Sequence, residues 1–221
     1  MNIQELIKRT MTGIILGFLF WLCFIYAPPF ISSLLLLLIL GLIFIFEWKR
    51  LFKTSNTLNW LLMPLYPAAP FALLIYMNQH ATYRPLLFFL FVIVFSFDTG
   101  SYIFGNLFGK HIIAKSISPR KSWEGVAGGY LFASIGMWAM LYEQNKTMPI
   151  ITMLLFTAVV SILSLCGDLF ESWLKRRAGI KDSSNLLPGH GGFLDRFDGI
   201  LFAVFFFYFF RDYLMNLLRL L

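Results

Sequence analysis

Two pairs of carboxylates recur at one spacing near the C-terminal end of a chain that otherwise avoids charge: Asp168 with Glu171, and Asp195 with Asp198. On a helix, residues three apart share a face, and Lys175 extends the face of the first pair by one turn. If two such pairs come together from different helices, their oxygens can hold Mg²⁺, with nucleotide phosphates completing the shell. Between the pairs runs Lys181-Asp182-Ser183-Ser184-Asn185-Leu186-Leu187-Pro188-Gly189-His190-Gly191-Gly192. Proline and glycine make this a turn-rich loop, and Gly191 and Gly192 let backbone N–H groups approach a phosphate closely. The cations Lys175, Arg176, Lys181 and Arg196 can neutralise the remaining phosphate charge. His190 can act as an acid, a ligand or a donor that orders the loop. The last role is preferred, because phosphoryl-type transfer relies on positioning and electrostatics more than on a protein nucleophile. The plain alternative for the first pair is a solvated helix end with an internal salt bridge.

Seven of the eleven Asp and Glu residues fall in or beside two polar stretches: Asp98, Glu124, Asp168, Glu171, Asp182, Asp195 and Asp198. Asp98 sits near the end of an apolar run, in Phe97-Asp98-Thr99-Gly100. An ionisable group at membrane depth is costly and is a functional candidate by default; a carboxylate at the interface or hydrogen-bonded between helices is the alternative. Ser118-Pro119-Arg120-Lys121-Ser122-Trp123-Glu124-Gly125 places cations beside hydroxyls, which suits phosphate contact, although simple charge anchoring at a membrane face would use the same residues.

The elements that must position these groups are membrane helices. Hydrophobic residues make up 59% of the 221, charged residues 13%, and there are 26 Phe, a composition unsuited to a water-exposed surface. A crossing helix needs roughly 20 mostly apolar residues. Runs of that kind predict spans at 11–27, 30–47, 58–77, 85–104, 123–142, 149–170 and 199–219. The expected fold is therefore all-α: a polytopic integral membrane bundle of about seven helices. With the N-terminus cytoplasmic, fourteen of the eighteen Lys and Arg fall on the inner side, as the positive-inside rule requires. The first run is read as a retained helix, since no small-residue cleavage site follows it. Pro64, Pro67 and Pro70 predict a kinked or partly re-entrant third span. The helices of 1–84 precede a catalytic portion at 85–221, whose long inner loops are 105–122 and 171–198. The net charge of +7 forms no separate basic stripe, so nucleic acid is not an expected partner. Cys23 and Cys166 have neither disulfide nor metal-ligand spacing and are read as packing residues.

These residues resemble the phosphatidate cytidylyltransferase (CDP-diacylglycerol synthase) family. The likeness rests on Ser172, Lys175, Arg176, Lys181, Asp182, Pro188, His190, Gly191, Gly192, Asp195, Arg196 and Asp198. The Asp98-Thr99-Gly100-Ser101-Tyr102 segment, Gly109-Lys110-His111, the Ser118 to Gly125 segment and Gly167 to Ser172 extend it, so that it runs from about Asp98 to the C-terminus. It implies transfer of cytidylyl from CTP to phosphatidic acid, giving CDP-diacylglycerol and pyrophosphate for phospholipid synthesis with Mg²⁺ and room for a second metal ion. By this likeness Asp168 and Asp195 are the principal metal ligands, and Asp98, Glu171 and Asp198 are supporting acids. Ser118, Lys121, Lys175, Arg176 and Lys181 are then phosphate contacts. The implied partners are CTP, phosphatidic acid and membrane lipids, with a homodimer as one open assembly. The implied site faces the cytoplasm, from a bacterial inner membrane. The chain departs from the family in its short N-terminal half, where only about three runs precede Asp98.

Two other readings compete. One keeps the chemistry and changes the acceptor to another lipid phosphate. The other is an intramembrane aspartyl protease using Asp98 and Asp168, against which stand Leu165-Cys166-Gly167-Asp168 in place of Gly-x-Gly-Asp and a polar loop without a task. A transporter or inert membrane protein would leave the clustered carboxylates unused.

Overall fold

The computed structural model describes residues 17, 18, 20–52, 57–187 and 191–218. Of the expected span at 11–27, residues 11–16 and 19 lie outside the described residues, while 17, 18 and 20–26 are helical. The chain divides into two compact units, Met1–Gln79 with Leu174–Phe197, and His80–Trp173 with Asp198–Leu221.

In the first unit, α1 (Pro29–Leu51) and α2 (Trp60–Gln79) are each long and apolar enough to cross a membrane. Leu36, Ile39 and Ile43 of α1 and Phe71, Leu74 and Met77 of α2 are buried. The two helices are also joined by polar groups. The Asn78 amide donates to Ser33 Oγ at 2.9 Å and to the Pro29 carbonyl at 2.8 Å, and the Gln79 amide reaches Ser33 Oγ at 2.8 Å. Such interhelical bonds hold helices together where lipid offers no hydrophobic drive for association. Near its end α1 widens into a π-helical turn at Ile43–Trp48, which carries Ile43, Glu47 and Trp48 into buried positions. Helix α2 breaks where the prolines predict. Tyr66, within Pro64–Ala68, leaves helical geometry at φ −152° and ψ 113°, yet the stretch on either side still forms one span.

The second unit opens with α3 (Arg84–Phe108) and α4 (Trp123–Glu143), joined by a hairpin of β1 (Ile112–Ala114) and β2 (Ser118–Ser122). This hairpin departs from the all-α expectation. The strands pair antiparallel with Ile112 opposite Ser122 and Ala114 opposite Ser118, and the loop read at 105–122 is shortened because α3 continues to Phe108. Ser122 then caps α4 by accepting from the Gly125 N–H at 3.1 Å. Helices α3 and α4 meet backbone to backbone. A Cβ on Gly100 would lie 2.7 Å from the Gly128 carbonyl, and one on Gly129 would lie 2.6 Å from the Phe97 carbonyl.

Helix α5 (Ile150–Arg177) has 28 residues. At about 1.5 Å per residue it is near 42 Å long, more than a hydrocarbon core of about 30 Å needs. That length leaves room for its final turns, with Lys175, Arg176 and Arg177, to reach past the apolar layer. The last apolar run begins earlier than the expected 199: α6 (Leu194–Phe209) takes in Asp195 and Asp198. It is followed by α7 (Arg211–Leu217) at an 83° bend instead of running straight. At the bend Arg211 donates to the Tyr208 carbonyl at 2.9 Å and lies over the Tyr208 and Tyr83 rings, while Tyr83 donates to Asp212 at 2.7 Å. A guanidinium that satisfies an end-of-helix carbonyl stabilises the break. Among the described residues, five helices are long and apolar enough to span a membrane, or six if the bent pair is one span. Their outer faces carry exposed Leu34, Leu38, Leu65, Leu131, Trp138 and Leu155, as a surface facing lipid would.

Within the second unit, α5 and α6 come close at two glycines. A Cβ on Gly167 would collide with the Asp198 carbonyl, and one on Gly199 would collide with Ser164 Oγ. The obstacle at Gly167 is backbone and cannot rotate away, so Gly167→Val is expected to force the helices apart. The cost should be about 1–3 kcal/mol or more, read as a lower thermal midpoint in detergent; an unchanged midpoint would contradict the close crossing.

Candidate functional site

In the first unit the candidate side chains gather around the start of α6. Asp195 stands in its first turn, where the positive pole of the helix favours a carboxylate. Its Oδ1 receives Lys175 Nζ at 2.5 Å. Its Oδ2 accepts from Gly192 N–H at 2.7 Å, Ser183 Oγ at 2.7 Å and Ser183 N–H at 3.1 Å. The Lys175 and Asp195 side chains are only 11% and 7% exposed, so the pair must satisfy itself almost without water. Gly191 adopts φ +82°, a conformation that favours glycine, and a Cβ there would sit 2.6 Å from Asp195 Oδ2. The Leu187 N–H donates to the Gly191 carbonyl at 2.9 Å. Arg176, Lys181, Asp182 and Arg196 of the same unit are exposed, and Arg176 donates to the Ile180 carbonyl at 3.3 Å, closing the end of α5. His190 lies outside the described residues.

Sequence reasoning overlooked Glu47 in this unit. It is 0% exposed at the end of α1 and accepts from Ser183 Oγ and Ser184 Oγ at 3.0 Å each and from the N–H groups of Phe193 and Leu194 at 2.8 Å each. The available signal was an acid inside an apolar run, the same signal that singled out Asp98.

In the second unit, Asp168 forms an ion pair with Lys121 of β2. That pair gives the hairpin its place in the site: the strand carrying Ser118, Arg120 and Lys121 delivers a cation to a carboxylate of α5. Glu124 folds the base of the hairpin. It accepts from the N–H groups of Lys110 and His111 at 3.1 and 3.2 Å and meets His111 Nδ1 at 2.5 Å. Asp98 is half-buried on α3. Glu171 is 0% exposed and Asp198 is 7% exposed, with the Gly199 N–H donating to Asp198 at 2.8 Å. Arg120 is exposed and Ser118 half-buried.

Cations set beside carboxylates in this way can receive an anionic ligand. Each expected metal-binding carboxylate is in contact with an ammonium, Asp168 with Lys121 and Asp195 with Lys175. Each carboxylate thus has a cation as its partner, whereas an aspartyl protease pairs two carboxylates with each other. Among the described residues no three or more His, Cys, Asp or Glu gather to hold a metal by themselves. Mg²⁺ characteristically takes one or two carboxylates and fills its shell with substrate phosphates and water, and each of these carboxylates, within its own unit, is a donor of that kind.

Residues 8–214 match the family described as "Cytidylyltransferase family". The phosphatidate cytidylyltransferase of Haemophilus influenzae is 39% identical over 146 residues, covering 62% of this chain and 51% of that protein. Those of Staphylococcus haemolyticus and Staphylococcus epidermidis are 46% and 47% identical over 114 and 116 residues, covering 52% of this chain and 44% and 45% of theirs. The chain thus spans about half the length of the curated relatives it matches.

Proposed function

We propose that this chain, which belongs to the cytidylyltransferase family, transfers the cytidylyl group of CTP to phosphatidic acid, giving CDP-diacylglycerol and pyrophosphate. The observation that carries this reading is the family match over residues 8–214, which takes in both polar clusters. The relatives' printed name supplies the acceptor.

In this reading a phosphate oxygen of the lipid attacks the α-phosphorus of CTP, the bond to the β-phosphate oxygen breaks, and pyrophosphate leaves with the electron pair. No covalent protein intermediate is needed. The chain's own residues position and neutralise. Lys121 and Lys175 are cations already held beside carboxylates, and exposed Arg120, Arg176, Lys181 and Arg196 supply further positive charge for the triphosphate. Asp168 and Asp195 would hold Mg²⁺, whose contribution is to neutralise phosphate charge. Asp98, Glu171 and Asp198 act as supporting acids. The seven-span arrangement, with the N-terminus and the reacting face cytoplasmic in a bacterial inner membrane, is supported by the distribution of Lys and Arg along the sequence.

Purified protein in detergent, given CTP, Mg²⁺ and phosphatidic acid, should release CDP-lipid and pyrophosphate in equal amounts. Chelation with EDTA should stop turnover and added Mg²⁺ should restore it. Turnover with a different lipid phosphate and none with phosphatidic acid would replace the acceptor. No nucleotide-lipid product from any lipid phosphate would overturn the proposal.

A further inference from the structure

We infer that Glu47 is the positioning residue for Asp195: its carboxylate, buried at the end of α1, holds Ser183, Ser184, Phe193 and Leu194 in the arrangement that seats Asp195 against Lys175. The inference rests on reading Asp195 as part of the cytidylyl-transfer site.

A carboxylate is an acceptor-only group with two oxygens and about four lone-pair positions, and at Glu47 four donors fill them. Oε1 takes Ser184 Oγ and Phe193 N–H, while Oε2 takes Ser183 Oγ and Leu194 N–H. Leu194 is the first residue of α6 and Phe193 the one before it. Their N–H groups are among those a helix start leaves without an internal partner, and the positive end of the helix adds to the attraction for an anion. The same segment supplies the donors to Asp195. Ser183 gives its N–H and hydroxyl, and Gly192 gives its N–H. Ser183 Oγ therefore lies within hydrogen-bond distance of two carboxylates, 3.0 Å from Glu47 and 2.7 Å from Asp195, and its single proton is shared between them. Glu47 thus reaches Asp195 by two short routes, through Ser183 and through the backbone of 192–194. Gly192 keeps the packing close, since a Cβ there would collide with Ser183 Oγ and lie 2.5 Å from Glu47 Oε1. The π-helical turn of α1 is what carries Glu47 inward at this height, and such turns recur at functional sites.

The chemistry at this position demands a carboxylate. Glutamine preserves the shape but offers one carbonyl oxygen and an amide N–H₂, so one backbone N–H of Phe193 or Leu194 would face another donor. A role in bulk stability and a role in positioning then give different results. The test is Glu47→Gln in the full chain in detergent. Amide hydrogen exchange, thermal midpoint, and kcat and KM for CTP are measured together.

Positioning predicts faster exchange confined to 182–195, unchanged exchange in α3 and α4, and kcat lower by about 10–100-fold. KM for CTP should stay within about threefold, because most of the phosphate-facing cations are untouched. Ser183→Ala retains Glu47 and removes the hydroxyl shared by the two carboxylates, so it should reproduce the local exchange and the kcat loss if Glu47→Gln does not fold. Wild-type exchange at 182–195 in both variants, or exchange rising equally in α3 and α4, would overturn the inference. If the unmodified chain shows no transfer to any lipid phosphate, the functional reading falls, while the exchange result still decides what Glu47 does.

Discussion

Asp195→Asn is expected to lower formation of CDP-lipid by about a thousandfold or more, the scale of losing one charge that positions and neutralises phosphate in a water-poor site. It should also destabilise the fold, because Lys175 and Asp195 form a buried pair. The asparagine carbonyl can replace Oδ2 as acceptor for Ser183 and Gly192, which then turns the amide N–H₂ toward the Lys175 ammonium. Removing one partner of a buried ion pair costs about 3–5 kcal/mol, because the other charge is left in low dielectric. The double variant Asp195→Asn with Lys175→Met separates the two effects. Removing the stranded ammonium should restore part of the thermal midpoint while turnover stays lost. Recovery of turnover alongside stability would mean that the pair serves the fold alone.

Asp168→Asn makes the complementary case. The Lys121 and Asp168 side chains are 23% and 25% exposed, so water screens the pair and its loss should cost at most about 1 kcal/mol. Turnover should nonetheless fall by about a thousandfold if this carboxylate holds Mg²⁺ and orders the triphosphate. A nearly unchanged thermal midpoint with abolished transfer is the expected pattern. Normal transfer would refute the metal assignment, and a large drop in midpoint would show that the hairpin depends on this pair for its folding. Raising Mg²⁺ should restore little of the loss, since the amide oxygen that remains is a neutral and weaker ligand.

The two carboxylates thus look alike in sequence and differ in environment. Each lies beside a lysine, but one pair is nearly sealed and the other is open to solvent. That difference comes from the elements that present them. Asp195 sits in the first turn of a helix, packed against Gly191 and Gly192. Asp168 faces a two-stranded hairpin. Spacing alone treated both as members of equivalent pairs.

Much of the fold was legible in advance because its causes are local. A run of about 20 apolar residues must satisfy its own backbone in lipid, so the spans read at 30–47, 58–77, 85–104, 123–142 and 149–170 correspond to α1 to α5. The interruption of α2 was legible from its prolines for the same reason. The chemical identities of the site, namely which carboxylates, lysines and glycines interrupt the apolar runs, also needed nothing but the sequence. Other features depend on partners far away in the chain. The bend after α6 is stabilised by Arg211 together with Tyr83, and the short hairpin is set by a pairing register that hydropathy does not encode. The choice of Lys121 for Asp168 and Lys175 for Asp195, and the use of Glu47 across a separation of 136 to 147 residues, were decided only by tertiary structure. The physical reason is that apolar length and helical spacing act over one or two turns. A hydrogen bond to a buried carboxylate is instead made by whichever donors the packed helices bring within about 3 Å.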